Sequence, residues 1–165
     1  MKIGQKMQDA INKQINAELY SGYMYLSMSA YFEAENLPGF AHWMRQQAGE
    51  EYEHAMKFYK YTFERGGDVT LEAIDKPQTK WESPLDAFET AHKHEVKVTS
   101  LINALVDIAC QENDKATESF LQWYIDEQVE EEASADEIVQ QLKMIGKSGN
   151  GLIMLDRALA KRGKD

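Results

Sequence analysis

The sequence predicts an all-α protein, a bundle of four long helices with one long crossover between the second and third and a short fifth helix at the C-terminal end. Three observations carry that reading. Among 165 residues only three are proline and ten glycine, while Ala, Leu, Glu, Lys, Gln and Met, which lose little rotamer freedom on a helical backbone, are plentiful. Apolar residues recur at heptad-like spacing in four long stretches. Between the stretches stand turn and capping residues of the types that stop and start helices. The length suits one well-buried domain over 1–165, with the bundle at about 5–145.

The first helix is expected over roughly 5–35, ending near Asn36-Leu37-Pro38-Gly39, where proline restricts the preceding residue and removes a backbone donor. The second spans roughly 38–65 and stops at Gly66-Gly67. Ser83-Pro84-Leu85-Asp86 opens the third with a hydroxyl cap, a proline in the first turn and an acid at the positive helix end. That helix runs to about Glu112, Asn113-Asp114 separates it from a fourth at about 115–145, and the glycine-rich segment 146–151 ends the fourth. A short amphipathic helix is expected at about 152–162. The connection from Gly66 to Ser83 is long for a bundle. At roughly 3.3 Å per residue it reaches about 55 Å, whereas a helix of about 28 residues rises only about 42 Å. A crossover of that reach makes the second and third helices parallel.

A net charge of −10 disfavours a nucleic-acid partner, which requires a basic footprint, and favours cations. One cysteine, Cys110, allows no intramolecular disulfide and no paired-cysteine metal site, which fits a reduced cytoplasmic setting; it is read as a small core residue. No basic, apolar leader is visible at the start, and the uncharged stretch Leu19–Phe32 is too short and too polar to span a bilayer, so no membrane partner is expected.

The chemistry lies on the seams. On the second helix the stripe reads Phe40, Met44, Gln47, Glu51, His54, Phe58, Tyr61. On the third, Phe88, Ala91, Glu95, Val98, Ile102, Leu105 and Ala109 are apolar but for one acid. The fourth carries Leu121, Tyr124, Gln128, Glu131, Ala135, Ile138, Leu142 and Ile145; the first carries Ile11, Ile15, Glu18, Gly22 and Tyr25. Glu51 follows Glu18 by 33 positions and Gln128 follows Glu95 by 33, so the two halves share one layout. An isolated carboxylate in such a core costs several kcal/mol or stays protonated. Divalent cations remove the penalty, because carboxylates and imidazole together suit iron, zinc or manganese. Four helices each aiming a carboxylate, amide or imidazole at one interior point form a two-metal site.

The segments Asn16-Ala17-Glu18-Leu19-Tyr20-Ser21, Glu50-Glu51-Tyr52-Glu53-His54-Ala55, Lys93-His94-Glu95 and the run from Phe120 to Glu132 resemble, in order, the ferroxidase segments of prokaryotic non-haem ferritins. The resemblance covers essentially the whole chain. It implies one iron held by Glu18, Glu51 and His54, with Glu51 bridging to a second held by Glu95 and Glu131, Gln128 close by. A third iron position would use Glu50, Glu127, Glu130 and in part Glu131. Two ferrous ions would pass two electrons to O2 or H2O2, and ferric oxyhydroxide would be stored in a hollow cage of twenty-four identical subunits. Tyr25 matches a family tyrosine and reads either as an electron donor or as a core aromatic bonded to a carboxylate. A neutral amide at Gln128 would hold ferric iron less firmly and let it pass onward.

Bacterioferritins place a haem-binding methionine directly after the bridging glutamate, where this chain has Tyr52, and carry ExxH twice, where this chain has Gln128 and Glu131. No haem is therefore expected. His42, His92 and His94 have no matching acid cluster and are read as solvated. The first helix is apolar nearly all round from Leu19 to Phe32, which suggests a subunit interface. Two rival readings stand beside iron storage: a rubrerythrin-like di-iron peroxide scavenger of the same fold, and a metal-free helical interaction module.

Overall fold

The computed structural model describes residues 1–164. Five helices follow one another: α1 (Gln5–Ala34), α2 (Pro38–Glu64), α3 (Pro84–Gln111), α4 (Lys115–Ile145) and α5 (Gly149–Leu159). Among the described residues there is no strand, and no helix is long and apolar enough to cross a membrane.

The boundaries follow from local chemistry. The Ser83 hydroxyl accepts the Asp86 N–H at 3.0 Å and Pro84 occupies the first turn of α3. Asp114 caps α4 by accepting the Thr117 N–H at 3.1 Å, and its other oxygen pairs with Arg65 at the end of α2 at 3.0 Å. Asn36 and Asn113, the turn residues between paired helices, adopt φ of 59° and 54°, a region asparagine tolerates better than most side chains. The fifth helix begins three residues earlier than its glycines suggest. Ser148 accepts the Gly151 N–H at 3.2 Å, and this cap fixes Gly149 and Gly151 within the first turn despite their backbone freedom.

Helix directions follow from the cross-contacts. Ile3 N–H donates to the Arg65 carbonyl and Ser29 Oγ to the Ala41 carbonyl, so α1 and α2 run antiparallel. Lys6 meets Gln111 near one end of α1 and Tyr25 meets Glu95 further along, so α3 also runs against α1. Helices α2 and α3 are therefore parallel, as the crossover's reach predicts. That crossover lies along α1. Asn12 donates to the Asp68 carbonyl and accepts the Thr70 N–H, Asn16 donates to the Glu72 and Ala73 carbonyls, and Ser27 donates to the Gln78 carbonyl. Amide and hydroxyl side chains thus satisfy a strandless backbone that could not satisfy itself.

The core is divided. Met24, Met28, Phe32, Phe40, Met44, Phe88, Ile138 and Leu142 belong to one apolar cluster, Ile11, Ile15, Phe58, Val98, Ile102, Leu121 and Tyr124 to another. Between them along all four bundle helices lies a layer of buried polar side chains. On the outside, Leu19, Gly22, Tyr23, Leu26, Tyr52 and Ile74 line an apolar groove, with Tyr23, Leu26 and Tyr52 at least half exposed. Cys110 is exposed, contrary to its reading as a core residue, because Ala109 takes the seam position in the last turn of α3.

Candidate metal centre

Every seam position expected on α2 and α3 is buried, acids included. The periodicity that buries Phe58 and Met44 leaves Glu51 and His54 nowhere else to point. Glu18, Glu51 and Glu95 are at most 2 % exposed, and His54, Gln128 and Glu131 at most 5 %. The six come from α1, α2, α3 and α4 and meet in the layer between the two apolar clusters.

Two sets of ligand atoms form there, each with its members within 4.8 Å of one another: Glu18, Glu51 and His54, and Glu51, Glu95 and Glu131. Glu51 belongs to both. His54 Nδ1 lies 3.4 Å from Glu51 Oε2 and 3.9 Å from Glu18 Oε2. Glu18 Oε1 accepts from Gln14 at 2.8 Å, but Glu18 Oε2 is buried with no hydrogen-bond partner. An orphaned carboxylate oxygen facing an imidazole nitrogen and a second carboxylate is the environment a divalent cation satisfies.

Without a cation the layer resists ionisation. Burial pushes the carboxyls of Glu18, Glu51 and Glu95 above their ordinary range, and neighbouring carboxylates add to the effect on Glu18 and Glu51. Burial, then Glu95, raises Glu131 to about 7. Tyr25 is fully buried and donates its hydroxyl hydrogen bond to Glu95 Oε1; burial and that carboxylate together drive its phenol well upward.

Gln128 does not simply present a neutral oxygen to the layer. Its Nε2 donates to Glu95 Oε2, to the Glu95 carbonyl and to Thr99 Oγ1, each at 3.2 Å. The amide therefore steadies Glu95. The residues expected at a third position separate: Glu127 joins His54 and Glu131 in a further set, with Oε1 3.9 Å from His54 Nε2. Glu50 pairs with Arg162, and Glu130 is exposed; neither falls in such a set among the described residues. His94 is not solvated. It packs between Tyr20 and Tyr25 with Nε2 2.7 Å from Ser21 Oγ, and burial with the Lys97 charge lowers it to about 4. His42 is half-buried too, its Nε2 2.7 Å from the Arg162 carbonyl oxygen.

Two glutamines complete the layer: Gln47, which the sequence places on the α2 seam without a role, and Gln14, which the sequence reading does not single out. Gln14 supports Glu18, and Gln47 donates to Glu51 Oε1 at 3.2 Å and to Glu131 Oε2 at 2.6 Å. A signal was present: each glutamine stands four positions before its glutamate, and the two glutamines are themselves 33 positions apart. Residues four apart share one helix face.

Residues 8–145 match the family model described as ferritin-like domain. The chain belongs to the ferritin family. It is 48 % identical over 160 residues to a protein of Bacteroides fragilis strain 638R named bacterial non-heme ferritin, covering 97 % of this chain and 99 % of that one. A Campylobacter jejuni protein of the same name is 40 % identical over 147 residues, 89 % of this chain and 88 % of its own. Among solved structures, an open-pore ferritin from Archaeoglobus fulgidus superposes with a TM-score of 0.97 at 53 % identity, covering 98 % of this chain and 99 % of that one. The two apolar clusters of this ferritin thus enclose its buried acids within a ferritin fold.

Proposed function

We propose that this ferritin stores and detoxifies iron in the cytoplasm, acting as a ferroxidase at a dinuclear centre. The observation that carries the proposal is Glu51, shared by two ligand sets beside the unpartnered Glu18 Oε2. Glu18 and His54 take one ferrous ion, Glu95 and Glu131 the other, and Glu51 spans both. Two metals held about 3.5–4 Å apart by such ligands deliver one electron each to a single oxidant. Two Fe(II), one O2 and two protons give two Fe(III) and one H2O2; with H2O2 as oxidant and two protons, two H2O form. Hard carboxylate oxygens favour the ferric product.

The surrounding groups support specific roles. Gln14, Gln47 and Gln128 hold Glu18, Glu51, Glu131 and Glu95 in place by donated hydrogen bonds. Their neutral amides orient the carboxylates without adding charge. The bond from the Tyr25 hydroxyl to Glu95 supports a role for Tyr25 as electron donor. Glu127, with His54 and Glu131, offers the core of a third iron position. The apolar groove around Leu26 and Tyr52 supports self-association into the twenty-four-subunit cage, inside which ferric oxyhydroxide collects.

Aerobic addition of Fe(II) to the isolated metal-free protein, followed by absorbance of the ferric product, particle size and iron content, tests the proposal. Rapid oxidation with iron retained in a large particle is expected. Oxidation with no retained iron would instead favour a peroxide scavenger, and a small particle that neither oxidises nor retains iron would leave only a helical interaction module.

A further inference from the structure

The tail beyond α5 brings a positive charge to the edge of the centre. The Arg162 guanidinium stacks 4.3 Å from the Trp43 ring centroid and donates to the Trp43 carbonyl oxygen at 3.2 Å. Its Nη2 donates at 2.8 Å to Gln47 Oε1 and at 2.8 Å to Glu50 Oε2. The Arg162 carbonyl oxygen lies 2.7 Å from His42 Nε2, so backbone and side chain of the tail are both held against α2.

The two acceptors stand on opposite sides of one boundary. Gln47 is fully buried and touches Glu51 and Glu131. Glu50, the residue before the shared Glu51, lines a surface depression together with Glu53, His54, Lys57, Trp123 and Glu127. His54 and Glu127 also belong to the outermost ligand set. A cation in that set therefore has Glu50 as a neighbour, and Glu50 already has a cation. A guanidinium is permanently charged and donates in a fixed fork, so it both occupies a Glu50 oxygen and sets a repelling charge beside the depression.

We propose that Arg162 is a resident counter-cation, a positioning residue that withholds Glu50 from metal bound at His54, Glu127 and Glu131 and so keeps that outer position weak. The inference rests on the dinuclear reading of the centre given above. A weak outer position passes iron on rather than holding it, and docking of the C-terminal tail sets how weak it is. By occupying Gln47 Oε1, the same guanidinium also leaves the Gln47 NH2 facing Glu51 and Glu131, so that tail and centre are joined through one amide.

The test is calorimetric titration of metal-free, full-length protein with Zn2+, which is redox-inert and takes imidazole and carboxylate ligands. Wild type, Arg162→Ala, Glu50→Gln and the double variant are compared, with circular dichroism and elution volume as checks on folding. Tight binding at the dinuclear set reports the reading of the centre; the weaker class reports this inference. Arg162→Ala is expected to tighten the weaker class by about 3- to 10-fold, the range of a partly exposed, charge-assisted pair. Glu50→Gln alone, which leaves the guanidinium unneutralised, is expected not to tighten it, and the double variant to lose the tightening and return it to the wild-type value. A weaker class that Arg162→Ala leaves unchanged or loosens overturns the inference, as does a double variant that binds as tightly as Arg162→Ala. If Arg162→Ala does not fold, Arg162→Gln, which removes the charge but keeps an amide donor for the Trp43 carbonyl, takes its place in both arms. Absence of tight binding in the wild type would instead overturn the dinuclear reading.

Discussion

Asp156 of α5 caps a helix to which it does not belong: its Oδ1 accepts the backbone N–H of Gly39 at 2.8 Å and that of Phe40 at 3.0 Å, both in the first turn of α2. The carboxylate meets the positive end of the α2 dipole and satisfies donors that Leu37, the residue in the N-cap position, leaves open. The approach requires glycine. A Cβ on Gly39 would stand 1.7 Å from the Asp156 carbonyl oxygen.

Gly39→Ala is expected to displace α5 from α2 and to destabilise the protein by about 1–3 kcal/mol, the usual cost of overpacking. Asp156→Ala, which removes the cap but keeps the close approach, is expected to cost about 1 kcal/mol. Amide hydrogen exchange in α5 reads both, with protection lost in the first variant and reduced in the second.

Glu51→Gln separates stability from function. Replacing a buried acid by a neutral amide relieves repulsion with Glu18, Glu95 and Glu131, so the metal-free variant is expected to melt higher than the metal-free parent. The fast phase of ferrous oxidation is expected to vanish. Melting temperature and stopped-flow absorbance on the same sample check the pair of effects.

The metal-free protein is expected to lose stability as pH rises, the reverse of ordinary acid denaturation. A carboxyl whose folded pKa lies above its unfolded value binds more protons in the native state between those values, so stability falls with pH through that window. For Glu131 the window runs from about 4.3 in the unfolded chain to about 7 in the fold, worth about 4 kcal/mol. Glu18, Glu51 and Glu95 shift in the same direction. Urea denaturation at pH 5 and pH 8 measures the slope, and divalent cation should abolish it by replacing the protons.

Leu26→Glu places a charge in the apolar groove between α1, α2 and the crossover. Leu26 is half exposed, so the fold of the chain should survive. Sedimentation velocity is expected to show the assembly reduced to small species while helicity is kept. An unchanged large particle would exclude that groove as a subunit contact.

Much of this molecule was legible in the sequence. The seams of α2 and α3 named the buried acids, because an α-helical period that buries Phe58 and Phe88 also buries Glu51 and Glu95. The reach of the crossover implied the parallel pair α2 and α3. What stayed hidden depends on contacts across elements. The start of α5 turned on a serine cap outweighing two glycines. His94 looked solvated, yet Ser21, Tyr20 and Tyr25 from α1 enclose it. Gln128 reads as a neutral amide beside the second ion, and the bonds its amide nitrogen gives Glu95 and Thr99 lie across helices where sequence spacing does not reach. Arg162 is the furthest case, since nothing local ties a tail arginine to Gln47 and Glu50.

The central claim is that Glu51 is shared by two cations. Crystals of the protein soaked anaerobically in Fe(II), with anomalous differences measured at the iron edge, test it most directly. Two peaks about 3.5–4 Å apart are expected, one against Glu18 and His54, the other against Glu95 and Glu131, with Glu51 between them. A single peak, or two peaks neither of which touches Glu51, would contradict the account.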